Sequence, residues 1–100
     1  VIDPRDSYDG FFMRLMNKAY FHYKQGEPVP EPLAAAAKVM RAADCYIIVS
    51  PEYNHTLPPG LTNLMNYFGS STYAFKPAGV AAYSAGMWGG ARAALGLRSY

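Results

Sequence analysis

Two short polar stretches, each following an apolar run, contain the residues best suited to chemistry. Residues 51–54 read Pro-Glu-Tyr-Asn and offer a carboxylate, a flat ring and an amide, and a proline pair just downstream suits the positively polarised start of a helix. Residues 84–90 read Ser-Ala-Gly-Met-Trp-Gly-Gly, and their glycines allow positive φ, so successive backbone N–H groups can face an acceptor. Together the two stretches predict a site for a flat ligand with polar edges.

Ser84 suggests a different chemistry, nucleophilic catalysis, because Ala-Tyr-Ser-Ala-Gly approaches the Gly-x-Ser-x-Gly turn of serine hydrolases. The first glycine of that pattern is Ala82 here. Both histidines, His22 and His55, precede the serine, whereas those hydrolases need the order serine, acid, histidine. A hydrolase is therefore disfavoured. No metal site is predicted either, because neither histidine has a second ligand at a spacing typical of zinc.

The hydrophobic pattern indicates which elements position these stretches. Continuous apolar runs at residues 45–50 and 77–84 predict strands buried on both faces. Helices are predicted for residues 32–43, for a segment with Pro58 and Pro59 in its first turn that stops at Gly69, and for the stretch that follows the glycines of residues 86–90. This alternation predicts an α/β domain with an open parallel sheet. In such sheets ligands bind beyond the carboxyl ends of the strands, where both polar stretches lie.

The first part of the chain carries a further apolar stripe. Tyr8, Phe11, Leu15 and Ala19 recur at three- and four-residue steps, a pattern that predicts a helix beginning near Ser7.

The composition excludes several classes of protein. The chain has 100 residues, of which 51% are hydrophobic and 16% charged, which suits one packed domain. A net charge of +2 with dispersed signs gives no basic stripe, so no nucleic acid partner is expected. The single cysteine excludes an internal disulfide. The chain has neither a leader nor an apolar run long enough to span a bilayer, so we expect a cytoplasmic protein without a membrane partner.

Three stretches resemble the NADPH-dependent FMN reductase family, which includes flavodoxin-like quinone and azo-dye reductases. The resemblance covers essentially the whole chain and implies a flavodoxin-like open parallel sheet with helices on both faces. It implies an oxidoreductase, and a homodimer, that transfers hydride from NADPH or NADH through bound FMN to a quinone, an azo dye or free flavin. The stretches are AYFHYKQGEPVPEPLAAAAKVMRAAD, SPEYNHTLPPGLTNLMNYF and YAFKPAGVAAYSAGMWGGARAALGLR.

The resemblance also assigns the site, since both loops hold the flavin ring in that family. The implied cofactor-binding residues are Pro51, Glu52, Tyr53, Asn54, Ser84, Ala85, Gly86, Met87, Gly89 and Gly90. Candidate substrate residues are His22, Tyr23, His55 and Trp88. No side chain is required as a nucleophile or obligatory acid, because the cofactor performs the chemistry. The family segment that matches residues 8–24 is largely irregular, which competes with the helix that the apolar stripe predicts there.

The chain departs from the family pattern at both ends. The Ser/Arg-containing loop that binds the FMN phosphate has no counterpart here, the opening Val-Ile-Asp matches the end of a second strand, and the last strand is missing. We therefore expect a single partial domain over residues 1–100, with apolar sheet faces uncovered. The alternative is a non-catalytic, truncated flavodoxin-like interaction module. The sequence does not distinguish NADH from NADPH or identify the physiological electron acceptor.

Overall fold

The chain folds as an α/β structure around two parallel strands. The computed structural model describes the backbone of residues 1–100 and every side chain except that of residue 99. The parallel pairing of the two strands between helices confirms the predicted fold class and the predicted parallel sheet. In chain order, the elements are α1 (Glu31–Ala42), β1 (Tyr46–Pro51), α2 (Pro59–Asn66), α3 (Ser70–Tyr73), β2 (Ala78–Tyr83) and α4 (Ala91–Ser99).

Prolines begin two of the helices. Pro32 is the second residue of α1 and Pro59 is the first residue of α2. A proline fixes φ near the helical value, and its missing N–H is harmless in the first turn, where no intrahelical acceptor exists. The sequence therefore stops each preceding segment and starts a helix at the same point.

The core lies between α1, α2 and the segment that precedes α1. Phe12 and Leu33 are completely buried. The Phe12 ring packs edge to face against the Tyr67 ring, with 5.1 Å between the ring centroids. Aromatic pairs in this geometry add to the stabilisation from burial alone. Small side chains on α1 let the aromatic rings approach the helix closely. The cluster comprises Phe12, Leu33, Ala36, Ala37, Leu64, Tyr67 and Phe68.

The regular helix predicted from residue 7 is wrong. Residues 7–13 form 3-10 turns interrupted by left-handed backbone at Tyr8, Asp9 and Gly10, with φ of 56°, 55° and 70°. The side-chain amide of Asn63 donates hydrogen bonds to carbonyl oxygens at the end of this segment, which holds them outside a helical ladder. The irregular segment that the family resemblance implied is confirmed.

Much of the surface of the sheet is exposed. Ile47 is 75% exposed and Val49 is 61% exposed, whereas Ser50, on the opposite face, is fully buried. Burial on both faces is therefore a wrong prediction for Ile47 and Val49, since no helix among the described residues covers them. It is also wrong for β2, where every residue except Ala82 is exposed. None of those helices is both long enough and apolar enough to cross a bilayer.

Candidate functional site

The two polar stretches leave the sheet at the same edge. In the parallel register Pro51, the last residue of β1, pairs with Tyr83, the last residue of β2. The amide of Glu52 then donates a hydrogen bond to the carbonyl oxygen of Tyr83 at 3.2 Å. The predicted juxtaposition of the two stretches at the carboxyl ends of the strands is therefore present.

The first stretch ends in a tight two-residue turn. Tyr53 and Thr56 exchange backbone hydrogen bonds, 3.0 Å in each direction. The residues between them, Asn54 and His55, both have positive φ, at 51° and 65°. A type I′ turn requires this combination, which asparagine tolerates better than histidine. The turn carries exposed Tyr53, Asn54 and His55 side chains at the edge of the sheet.

The second stretch packs the start of α4 closely against the end of β2. Gly90 has φ of +85°, and a Cβ at this position would lie 2.8 Å from the Tyr83 nitrogen and 3.0 Å from the Ala82 carbonyl carbon. Both contacts are with backbone that cannot move aside, so only glycine fits. At Gly86 a Cβ would meet only the Ser84 hydroxyl, at 3.5 Å. The two glycines therefore differ sharply in how strictly the fold requires them.

Several amides of the second stretch are free to bind a ligand. The hydroxyl oxygen of Ser84 accepts a hydrogen bond from the Gly86 amide at 3.1 Å and so holds the beginning of the loop. Within the part of the chain that the structure describes, the amides of Ala85, Met87 and Trp88 have no acceptor. All three residues are exposed. Neighbouring unpaired N–H groups of this kind suit the acceptor edge or negative charge of a ligand.

The carboxylate of Glu52 connects the two stretches. Its side chain is only 8% exposed, and Oε1 accepts a hydrogen bond at 2.8 Å from the backbone amide of Ala93 in the first turn of α4. Oε2 lies 3.9 Å from Nδ1 of His55. Sequence reasoning placed Glu52 in the site but missed this contact, because nothing local indicates a hydrogen bond between residues 41 apart.

Two predicted substrate residues lie away from this edge. His22 belongs to the 3-10 turn Tyr20–His22, and its ring centroid lies 4.4 Å from that of the neighbouring Phe21. Tyr23 lines a separate cavity of about 590 Å³ together with Arg41 and Thr72. Neither stretch at the sheet edge contributes to that cavity. Trp88, in contrast, lies in the second stretch and is 66% exposed.

The site offers backbone donors and aromatic rings rather than metal ligands. Among the residues whose side chains are described, no three of the types His, Cys, Asp and Glu are grouped so that they could hold a metal ion. Donors of this kind fit the ring of a flat, polar-edged cofactor, which needs hydrogen bonds along its edge and open space over its face.

Residues 1–100 match the family model described as NADPH-dependent FMN reductase. The quinone reductases of Escherichia coli (strain K12) and Shigella flexneri are each 37% identical over 78 residues, an alignment covering 75% of this chain and 42% of theirs. The probable NADPH:quinone oxidoreductase 1 of Oryza sativa subsp. japonica is 34% identical over 63 residues, an alignment covering 61% of this chain and 32% of that protein. The chain therefore spans less than half the length of these curated relatives.

Proposed function

Because this chain belongs to the NADPH-dependent FMN reductase family and has its flavodoxin-like α/β fold, we propose that it forms the flavin-binding edge of an oxidoreductase. The reaction passes hydride from NADPH or NADH through FMN to a quinone, an azo dye or free flavin. The observation that carries the proposal is that, among the described residues, no acceptor pairs with the amides of Ala85, Met87 and Trp88, in the loop that leaves the sheet beside the 53–56 turn. The names of the relatives support a quinone as the acceptor.

The ring of FMN suits these residues. Bound FMN would supply two-electron redox chemistry that no side chain of this site provides. The amides of Ala85, Met87 and Trp88 would donate hydrogen bonds to the polar edge of the ring, and their positive ends would favour the negative charge that this edge gains on reduction. Residues 1–100 contain no Ser/Arg phosphate loop, so we assign none of them to the FMN phosphate.

The proposed site combines the two stretches and leaves one face of the ring open. The backbone from Pro51 to Asn54 borders one side and residues 84–90 border the other. Exposed His55 and Trp88 would flank the space in which the nicotinamide and then the acceptor would stack, so the contribution of the chain to rate would be proximity. His22 and Tyr23 are left out of this site. We propose one partial domain, working as a homodimer as the resemblance implies.

The test is an assay of NADPH oxidation with a benzoquinone, with and without added FMN. We expect turnover that requires FMN and saturates with the quinone. The Gly79→Ala variant, whose added methyl meets no atom within 4 Å and lies outside both loops, is the control and should keep its activity. FMN binding without NADPH oxidation, for every acceptor class named above, would contradict the catalytic proposal and favour the interaction module.

A further inference from the structure

We propose that Glu52 is a positioning residue that lowers the reduction potential of bound flavin by acting through helix α4, without contacting the ring. This inference rests on the proposed function, since it concerns the same site. It differs from the role that the resemblance assigns to Glu52, which is direct contact with the flavin edge.

The first step of the argument is the geometry of the carboxylate. The first amides of a helix have no intrahelical acceptor and are usually capped by the side chain of the preceding residue. In α4 that preceding residue is Gly90, which has no side chain and makes no such cap. Oε1 of Glu52 binds the amide of Ala93, the third residue of α4, at 2.8 Å. Glu52 therefore supplies from a distant loop the cap that Gly90 cannot provide.

The second step is orientation. The Glu52 side chain is only 8% exposed, and its backbone amide is fixed on the Tyr83 carbonyl oxygen at 3.2 Å. Both ends of the residue are therefore held by the protein, and the carboxylate is directed toward α4 rather than into solvent. The buried carboxylate is poorly placed to contact a ligand at the open edge.

The third step is electrostatic. A helix N-terminus carries roughly half a positive charge, which favours a negatively charged ligand nearby. A full negative charge on Glu52, which is anchored to Tyr83 just before the 84–90 loop and to Ala93 just after it, opposes this attraction. Reduced flavin is the more negatively charged form, so the carboxylate weakens the binding of reduced flavin relative to oxidised flavin. Glu52 thus holds the loop in place and lowers the reduction potential of the bound flavin.

The test compares Glu52→Gln with Glu52→Ala. Glutamine keeps an oxygen that can accept the Ala93 hydrogen bond but removes the charge, whereas alanine removes both. We expect either variant to bind reduced FMN about tenfold more tightly relative to oxidised FMN, a rise of about 30 mV for a two-electron couple. The measurement is the reduction potential of bound FMN in the folded wild-type protein and in each variant, obtained by reduction in equilibrium with a redox dye. Glu27→Gln, which neutralises a carboxylate at the separate cavity, is the matched control and should leave the potential unchanged.

A second readout needs no flavin. Hydrogen exchange at the Ala93 amide should be at least about tenfold faster in Glu52→Ala and close to wild type in Glu52→Gln, because only alanine leaves this amide without an acceptor. An unchanged potential in Glu52→Gln with FMN bound would overturn the inference and leave the proposed function intact. Failure of the wild-type protein to bind FMN would overturn both, and the two failures are thus distinguishable.

Discussion

The carboxylate of Glu52 accepts a hydrogen bond from the backbone amide of Ala93 at 2.8 Å, across 41 residues of sequence. This bond joins the loop after β1 to the first turn of α4, the helix that follows the 84–90 loop. The two stretches that form the candidate site are therefore connected by a buried contact as well as by the register of the two strands.

Loss of this contact should lower stability. Replacing Glu52 by alanine leaves the Ala93 amide without its cap, and lost helix caps cost about 0.5–2 kcal/mol. Glu52→Gln, which retains an acceptor oxygen, should lose less than half as much. Urea unfolding followed by circular dichroism measures both values. Equal free energies of unfolding for Glu52→Ala and wild type would show that the contact does not stabilise the fold.

Gly90 should be the least replaceable glycine of the site. Gly90→Ala combines a left-handed φ, which costs roughly 1–2 kcal/mol, with a 2.8 Å contact between the new Cβ and the Tyr83 backbone. We expect a total loss of at least about 2 kcal/mol. Gly86→Ala should stay within about 0.5 kcal/mol of wild type, since its Cβ meets only ordinary contact. Thermal unfolding of the two variants checks the ranking, which equal losses would contradict.

His55 should be a strained residue whose replacement stabilises the turn. It has φ of 65° at the second central position of the 53–56 turn, where glycine carries no steric penalty. His55→Gly should therefore raise the free energy of unfolding by about 1 kcal/mol. Asn54→Gly should gain less, because asparagine already tolerates this conformation. A fall in the melting temperature of His55→Gly would contradict the assigned turn geometry.

Acid should weaken the loop beside the separate cavity. A hydrogen bond from Lys18, with a second from the Lys24 amide, holds the pKa of Glu27 below its usual value of 4.5. A lowered folded-state pKa gives a stabilisation that is fully present above pH 4.5 and is lost as the pH falls through the folded-state pKa. Glu27→Gln should remove this part of the pH dependence. The check is urea unfolding of both proteins between neutral and acidic pH. If the free energy of unfolding fell equally with pH in the variant and in the wild type, the prediction would be contradicted.

The sequence predicted the fold where local chemistry determines it. Pro32 and Pro59 mark helix starts because proline suits only the first turn, and the β-branched run at 47–49 indicates a strand. The common position of the two polar stretches follows from parallel pairing. These features could be predicted without knowledge of any long-range contact.

The remaining features depend on contacts between distant residues. The apolar stripe from Tyr8 suggested a helix, yet the core position of Phe12 and the hydrogen bonds from Asn63 fix a different backbone there. Ile47 and Val49 have the residue types of a buried strand, and their exposure depends on what packs against the sheet rather than on the strand itself. The bond between Glu52 and Ala93 exists only once the strands are in register.

The most direct test of the flavin site uses Trp88, the only tryptophan of the chain, which lies in the 84–90 loop. FMN is titrated into the purified protein, tryptophan emission is recorded, and free N-acetyltryptophanamide corrects for absorption by FMN. We predict saturable quenching of Trp88 emission at one FMN per chain, with parallel quenching of flavin fluorescence. Trp88 emission that does not change beyond the correction, in a protein whose circular dichroism shows it to be folded, would contradict flavin binding at this edge.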